Sequence, residues 1–336
     1  MPENRLILVV HDEVSATAQP DALDTLVQMR AVRDALAGAG HSVACVPFKS
    51  NLQRLRSSLI ENPPALVFNL VEAPLGSDRL AFMLPAILEQ LQIPCTGADF
   101  ATMLRLADKT LAKQWLSSHG VDTPPCWTEG AIAGDAGAFG PWIVKSIWEH
   151  ASFGLSATSV VATLDEAQEL AAANSERHGG EWFAERYVDG REFNVALLAT
   201  ADGPTVLPLA EIVFEGLPPD APRIVDYAAK WLPESLEYQC TQRRFLDESV
   251  EHELAERLRH AALRTWHVCR LRGYARVDFR VDAGGRPWVV DVNANPCIAP
   301  DAGFAAAAAM AGMDYAALIA AIVDPLLPQR PLLKTG

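Results

Sequence analysis

The chain has 336 residues, half of them hydrophobic, and a formal net charge of −14. This length allows two or three small domains, each with its own core. The acidic balance argues against a nucleic-acid partner, because clustered Lys and Arg bind phosphate backbones. A single nucleotide needs only two or three local cations and is not excluded.

Apolar runs and cysteines indicate the compartment. No apolar run reaches the length of a membrane span, and the first strand is too short for a signal-peptide core. The six cysteines show no CxxC pair and no metal-like clustering, which is typical of reduced thiols. We therefore expect a cytoplasmic protein with no membrane partner.

The first hundred residues alternate predicted strands and helices. Buried strands are predicted at residues 5–10, 41–48 and 65–71, with helices at 21–39 and 78–91. The β-α-β order predicts a small parallel sheet covered by helices. Ligands of such sheets gather at the carboxyl ends of the strands. This places four polar residues at a possible site, although a solvated loop explains them equally well: His11, Asp12, Glu13 and Glu72.

The middle of the chain carries candidate phosphate-binding residues. Lys109 lies in a predicted helix at residues 104–119, and Lys145 ends a predicted buried strand. Ser152 lies in the loop of small residues that follows. A lysine and loop N–H groups can hold phosphates, although such a lysine can also simply extend into solvent. Glu185 and Glu192 flank an Asp-Gly turn and can equally be solvated acids of an edge hairpin.

A predicted hairpin near the C-terminus carries the clearest chemical pattern. Folding it at Gly284-Gly285 sets Asp278 opposite Asp291 and Arg276 opposite Asn293. Facing carboxylates repel by roughly 0.2–1 kcal/mol, and a divalent cation turns that repulsion into attraction. Two acids and an amide offer the oxygen ligands that Mg²⁺ prefers. An ordinary solvated hairpin face is the alternative.

The order of these pieces resembles the ATP-grasp superfamily and, within it, the D-alanine–D-alanine ligases. The pieces are V-F-N-L-V-E-A-P-L-G-S-D-R, the stretch from I-P-C-T-G to D-K-T-L-A-K, E-R-Y-V-D-G-R-E, R-V-D-F and D-V-N-A-N-P. They span almost the whole chain. The resemblance implies an α/β protein with the ATP-grasp fold, in which an N-terminal parallel α/β domain precedes two α+β domains that enclose the nucleotide. We expect these domains at residues 1–103, 104–183 and 184–336.

The resemblance also implies a role for each candidate residue. Lys109, Lys145 and Ser152 would contact phosphates of ATP. Glu185 and the backbone of Val188 would hold adenine, and Glu192 the ribose. Asp278, Asp291 and Asn293 would bind two Mg²⁺ ions, or Mn²⁺ in their place. Arg276 would stabilise the reacting acyl group, Lys230 belongs to the family's mobile loop, and Glu13 would receive the first substrate's ammonium group.

Departures from the family pattern concentrate where the second substrate would bind. Cys297 replaces a glycine, and Ala302 or Gly303 occupies the place of a carboxylate-binding serine. Asp291 stands where the family usually has glutamate. The sequence therefore predicts an ATP-dependent carboxylate–amine ligase, acting through an acyl phosphate on a small-molecule carboxylate and an amine other than D-alanine. The alternatives are a true D-alanine–D-alanine ligase and a nucleotide-binding protein without turnover. The family resemblance also implies a homodimer.

Overall fold

The computed structural model describes residues 5–15, 20–128, 131–133 and 140–327. Its first sheet has three parallel strands in the order β2-β1-β3, which confirms the predicted parallel sheet. The strands are β1 (Leu6–Asp12), β2 (Ser42–Phe48) and β3 (Leu66–Leu70). The helices are α1 (Pro20–Gly38), α2 (Leu52–Glu61) and α3 (Met83–Gln90).

The helix expected at residues 104–119 is two helices. These are α4 (Phe100–Ala107) and α5 (Lys109–Ser118). Asp108 separates them because its side chain accepts hydrogen bonds from the backbone of Thr110 and Leu111, as an N-cap residue does. Lys109 thereby stands at the first position of a new helix, next to the cleft described below.

A five-stranded antiparallel sheet follows, in the order β5-β4-β8-β6-β7. Its strands are β4 (Cys126–Thr128), β5 (Ala131–Ala133), β6 (Trp142–Ser146), β7 (Val160–Val161) and β8 (Trp182–Arg186). Helix α6 (Leu164–His178) packs against it. Strand β8 runs past the expected domain boundary at residue 183, so we propose to place that boundary after Arg186.

The third sheet is antiparallel, in the order β12-β11-β9-β13-β14 with β10 paired to β9. Its strands are β9 (Arg191–Thr200), β10 (Gly203–Val206), β11 (Ala210–Phe214), β12 (Thr241–Phe245), β13 (Tyr274–Val281) and β14 (Pro287–Asn293). Its helices are α7 (Tyr227–Trp231), α8 (Leu236–Cys240), α9 (His252–Cys269), α10 (Gly303–Met310) and α11 (Tyr315–Val323).

Helices α10 and α11 join the first and third sheets through one hydrophobic core. This core contains Ile7 and Phe68 of the first sheet, Leu198 of the third, and Phe304 and Ile319 of the two helices. Burial of such side chains contributes roughly 1.5–3 kcal/mol each. The packing brings α1 against the loop that follows β14, where part of the candidate site lies.

Hydropathy along the helices gives no single membrane-spanning candidate among the described residues. Helix α10 and the segment Tyr315–Leu326 reach the required length and hydropathy only as a pair, and the pair is bent by 101°. Much of both helices is buried in the core just described.

Candidate active site

A cleft between the second and third sheets gathers most of the residues singled out in the sequence. Strands β6 and β8 form one wall, β9, β13 and β14 the other, and the loop 147–155 and helix α7 close over it. Eleven of the twelve expected site residues line this cleft: Lys109, Lys145, Ser152, Glu185, Val188, Glu192, Lys230, Arg276, Asp278, Asp291 and Asn293. Glu13 is the exception.

The hairpin β13–β14 has the expected register. Asp278 pairs with Asp291 and Arg276 with Asn293, and a bulge follows Asp278. Arg276 grips Asp278 with two hydrogen bonds, from Nε to Oδ1 at 2.7 Å and from an Nη to Oδ2 at 2.8 Å. Asn194 of β9 donates to the same Oδ1 at 2.9 Å. These contacts hold both the carboxylate and the guanidinium plane in place.

The same hairpin carries the oxygen donors of a possible metal site. Burial alone would raise the pKa of Asp291, but the neighbouring Lys109 and His150 lower it below its usual value. Within the described ranges, no three His, Cys, Asp or Glu side chains are placed to hold a metal by themselves. Asp278, Asp291 and Asn293 line one cleft and offer oxygen donors, and Mg²⁺ commonly takes one or two carboxylates and completes its shell with water and phosphate.

The loop 147–155 is held from both sides. Lys109 Nζ donates to the carbonyl oxygens of Glu149 at 2.7 Å and Ile147 at 3.3 Å. Ser152 Oγ donates to the Val225 carbonyl at 2.7 Å, and Trp231 Nε1 to the Ala151 carbonyl at 3.3 Å. The last two bonds join the loop to the segment that carries Lys230.

Glu185 sits between two lysines at the base of the cleft. Its side chain is 1% exposed, and Lys145 Nζ lies 2.5 Å from Oε1 while Lys113 pairs with Oε2. Burial would raise the pKa of Glu185, yet Lys113 and Lys145 lower it below its usual value. Glu185 is therefore ionised at neutral pH.

Arg280 organises the neighbouring part of the cleft. Its guanidinium donates to the carbonyl oxygens of Val188 at 3.0 Å and Arg223 at 2.8 Å, and pairs with Glu192 at 3.0 Å. The residue is only 5% exposed. Arg280 therefore fixes both the Val188 backbone and the Glu192 carboxylate, the two groups expected at adenine and ribose.

Glu13 lies outside the cleft. It pairs with Lys49 at 2.9 Å, and both side chains are more than half exposed. The less exposed acids at the carboxyl ends of β1 and β3 are Asp12 and Glu72 instead. Asp12 Oδ2 accepts from the backbone N–H groups of Glu72 and Ala73, each at 2.8 Å. Burial raises the pKa of Glu72 to about 8.

The loop after β14 meets helix α1 at the end of the cleft near Asn293. Cys297 Sγ donates to Asp24 Oδ2 at 3.1 Å, and Gln28 Oε1 accepts from the backbone N–H of Ile298 at 3.0 Å. Gln28 Nε2 lies 3.3 Å from Glu72. Burial raises the pKa of the Cys297 thiol, which therefore stays protonated and acts as a donor.

Arg243 lies next to residues 302–303, the place where the family's serine was expected. A Cβ at Gly303 would lie 3.7 Å from Arg243 Nε, and an Nη of Arg243 donates to the Asp301 carbonyl at 3.4 Å. Burial also lowers the pKa of Arg243. A cation from β12 thus lies beside residues 301–303, where the sequence lacks the expected hydroxyl.

Comparison with known proteins gives the family. A family model described as the D-ala D-ala ligase C-terminus matches residues 135–324, more than half of the chain. The D-alanine–D-alanine ligase of Chromohalobacter salexigens is 34% identical over 254 residues, which cover 74% of each chain. This chain belongs to the D-alanine–D-alanine ligase family. Its members are ATP-grasp carbon–nitrogen ligases.

Solved structures of the same family share the ligase fold. The Bacillus anthracis D-alanine–D-alanine ligase complexed with ATP superposes with a TM-score of 0.68 at 20% identity, covering 96% of this chain and 97% of that one. The VanG D-Ala:D-Ser ligase of Enterococcus faecalis superposes with a TM-score of 0.70 at 17% identity, covering 96% and 100%. The expected ATP-grasp fold is therefore confirmed.

Three residues of this family member received no role from the sequence: Lys113, Arg243 and Arg280. Lys113 had a detectable signal, because it follows Lys109 by four residues and therefore shares its helix face. Arg280 alternates with Arg276 and Asp278 along β13, so its face was also readable. Arg243 had no such signal, since only the pairing of β11 with β12 brings it to the site.

Proposed function

We propose that this protein is an ATP-dependent carboxylate–amine ligase whose acceptor is an amine other than D-alanine. One observation carries the proposal: two facing carboxylates and an amide share a cleft with the cations Lys109, Lys145 and Arg276. Such an arrangement of oxygen donors and cations suits a polyphosphate with its metal. ATP and Mg²⁺ are therefore the proposed cofactors.

The proposed reaction has two steps. The carboxylate of the first substrate attacks the γ-phosphorus of ATP, and ADP leaves with the bridging electrons, which gives an acyl phosphate. The amine of the second substrate then attacks the acyl carbon, phosphate leaves, and the nitrogen loses a proton. The product is an amide. Bound Mg²⁺ would neutralise phosphate charge, with Asp278, Asp291 and Asn293 as its protein ligands.

The chain's own cations stabilise the charge that moves in these steps. Lys145 projects from β6 and Lys109 from the start of α5, so both charges stand beside the loop that would cover the phosphates. Asp278 holds the guanidinium of Arg276 by two hydrogen bonds. A fixed cation needs little reorganisation when an oxyanion forms, which is the main advantage of electrostatic catalysis.

The acceptor end of the cleft is the end near Asn293, where the loop after β14 meets helix α1. Its residues support an amine other than D-alanine. Cys297 donates to Asp24 where the family has glycine, and residues 302–303 offer no hydroxyl. Asp301 places an acid beside the same site. Related folds accept different amines, as the name of the VanG D-Ala:D-Ser ligase states for that protein.

D-alanine–D-alanine ligation is the second candidate, and Arg243 is the observation that favours it. A guanidinium binds a carboxylate well, so Arg243 can take over from the missing hydroxyl. A protein that binds the nucleotide without turnover is the third candidate. The shared presence of Asp278, Asp291 and Lys145 in the cleft argues against it.

A substrate panel separates these candidates. The protein is incubated with Mg-ATP, a set of amino acids as carboxylates, and amines with and without a carboxylate group. Phosphate release and product mass are measured, with Asp291→Asn as the inactive control. We expect an amide product that is not D-alanyl-D-alanine. Efficient dipeptide formation from D-alanine alone supports the second candidate, and nucleotide binding without phosphate release in any mixture supports the third.

Assembly and compartment complete the proposal. We propose a homodimer, which sedimentation equilibrium at micromolar concentration tests directly. Cytoplasmic residence is supported by six cysteines that are all free in the structure.

A further inference from the structure

Lys113 is a buried cation that touches the nucleotide cleft only indirectly. It is 4% exposed and lies behind Glu185, which itself lines the cleft. Its Nζ donates to Thr123 Oγ1 at 3.0 Å, and that hydroxyl donates to the Val289 carbonyl of β14 at 2.8 Å. The ammonium group is therefore fixed on the far side of Glu185 and cannot reach a ligand.

The charges of this group do not cancel. Glu185 supplies one negative charge, and Lys113 and Lys145 supply two positive charges, so the three side chains together carry one positive charge. Lys145 is the member that faces the cleft. Without Lys113, the charge of Glu185 would neutralise the single charge of Lys145, because a buried carboxylate without a partner is strongly unfavourable.

We propose that Lys113 is the fixed counter-ion of Glu185 and that this pairing leaves the charge of Lys145 available for nucleotide phosphate. Lys113 is thus a positioning residue that acts through Glu185. The inference rests on the proposed nucleotide site and deepens it, since it assigns the two ends of the ligand to different cations. Adenine binding depends on Glu185. Phosphate binding depends on the positive charge of Lys145, which is not fully neutralised because Lys113 also pairs with Glu185.

The Lys145–Glu185 contact supports this division. Lys145 Nζ lies 2.5 Å from Glu185 Oε1, so the two groups are paired. Burial would lower the pKa of Lys145, but Glu185 raises it above its usual value. Lys145 is therefore charged, and only a second cation on Glu185 keeps this charge from being neutralised locally.

The test compares the binding of ATP with that of adenosine, which lacks the phosphates. Calorimetry gives both dissociation constants for the wild type, Lys113→Met, Lys145→Ala and the double variant. Lys113→Gln repeats the measurement with a side chain that keeps the hydrogen bond to Thr123, in case Lys113→Met does not fold. Arg259→Met is the matched control, because Arg259 also forms an ion pair, with Glu248 at 2.5 Å. This pair does not line the cleft.

We expect Lys113→Met and Lys113→Gln to weaken ATP binding at least tenfold while adenosine binding changes less than threefold. Lys145→Ala should give the same pattern, and the double variant should lose no more than the larger single loss. Lys113→Arg should restore ATP binding, and Arg259→Met should leave both constants unchanged.

Three results would overturn the inference. Equal losses for ATP and adenosine would make Lys113 a support of the pocket only. Unchanged dissociation constants for both ligands would remove any role in phosphate binding. Additive losses in the double variant would separate Lys113 from Lys145. Failure of the wild type to bind either ligand contradicts the proposed function itself, and the wild-type titration alone reveals that outcome.

Discussion

The two ends of the cleft are built from different kinds of contact. At the nucleotide end, buried and half-buried charges meet at short distances, as in Lys145 with Glu185 at 2.5 Å and Arg276 with Asp278 at 2.7 Å. At the acceptor end the contacts are longer and mostly involve a neutral group. Cys297 with Asp24 at 3.1 Å and Gln28 with Glu72 at 3.3 Å are examples.

Two glutamates, one buried and one half-buried, show the same contrast in terms of charge. Burial would raise the pKa of Glu185, yet its two lysines lower it, whereas burial raises that of Glu72 to about 8. A network of paired buried charges is costly to alter, because removal of one partner can leave a buried charge unpaired. Neutral contacts change more cheaply. Under the proposed function, the nucleotide end can thus stay constant while the acceptor end changes.

The largest expected effect on turnover comes from the proposed metal ligands Asp278, Asp291 and Asn293, called the metal set below. Asp291→Asn should lower Mg²⁺-dependent turnover at least 100-fold, about 2.7 kcal/mol of barrier, because it removes one of two facing carboxylates. Stability should fall somewhat, because Lys109 and His150 lower the pKa of Asp291 and so favour its charged form in the folded state. Steady-state phosphate release across a range of Mg²⁺ concentrations measures this.

Asp282→Asn is the control for that variant, since Asp282 lies at the turn of the same hairpin and bonds Trp288 at 2.9 Å. It should keep near-normal turnover. Normal activity of Asp291→Asn at ordinary Mg²⁺ concentration would remove this residue from the metal set.

Lys145→Ala should have the next largest effect. We expect the dissociation constant for ATP to rise about tenfold or more, on the order of 1.4 kcal/mol. The melting temperature without nucleotide should change little, because Glu185 keeps Lys113 as its partner. Calorimetric titration measures the affinity. Lys49→Ala, which removes an exposed lysine paired with Glu13, should leave it unchanged, and equal affinity in both variants would disprove phosphate binding by Lys145.

Sequence reasoning predicted the hairpin β13–β14 well, for a physical reason. Alternation along a strand fixes which side chains share a face, and the turn sets which residues stand opposite each other. The expected pairs Asp278–Asp291 and Arg276–Asn293 are confirmed. The bulge after Asp278 was not predicted, because a one-residue irregularity leaves no mark on the alternation.

The acceptor end was predicted less well, since tertiary packing assembles it. Asp24 and Cys297 are 273 residues apart and meet only because α1 packs beside the loop after β14. Arg243 reaches residues 301–303 through the pairing of β11 with β12. Glu13 was expected from the resemblance to receive the first substrate's ammonium group, but it follows the end of β1 and pairs with Lys49 instead. No local pattern encodes these contacts.

Arg243→Ala tests whether the acceptor end recognises a carboxylate. We expect KM for an acceptor bearing a carboxylate to rise about fivefold, on the order of 1 kcal/mol for an exposed charge. KM for ATP and for amines without a carboxylate should not change. Arg244→Ala is the control, because the neighbouring Arg244 pairs with Glu215 at 2.7 Å. An equal rise for every amine would mean that Arg243 does not contact the acceptor carboxylate.

The smallest expected effect concerns the neutral acid at the acceptor end. The pKa of Glu72 is 4.5 in its ordinary state and about 8 in the folded protein. The folded state therefore binds its proton more tightly than the unfolded state. This contribution to stability is fully present below pH 4.5 and is lost as the pH rises through 8. Glu72→Gln keeps a neutral side chain at every pH and should escape the loss.

Urea unfolding at pH 5, 7 and 9 measures the effect on the free energy of unfolding. Relative to the wild type, Glu72→Gln should gain roughly 0.5–1 kcal/mol between pH 5 and pH 9. Only part of the shift is expected to appear, because partial exposure lets water solvate the ionised acid and Gln28 donates to it. Glu61→Gln, an exposed change on α2, should show no such trend. A parallel pH profile for wild type and Glu72→Gln would mean that Glu72 is ionised like Glu185, and the contrast between the two ends of the cleft would then rest on distances alone.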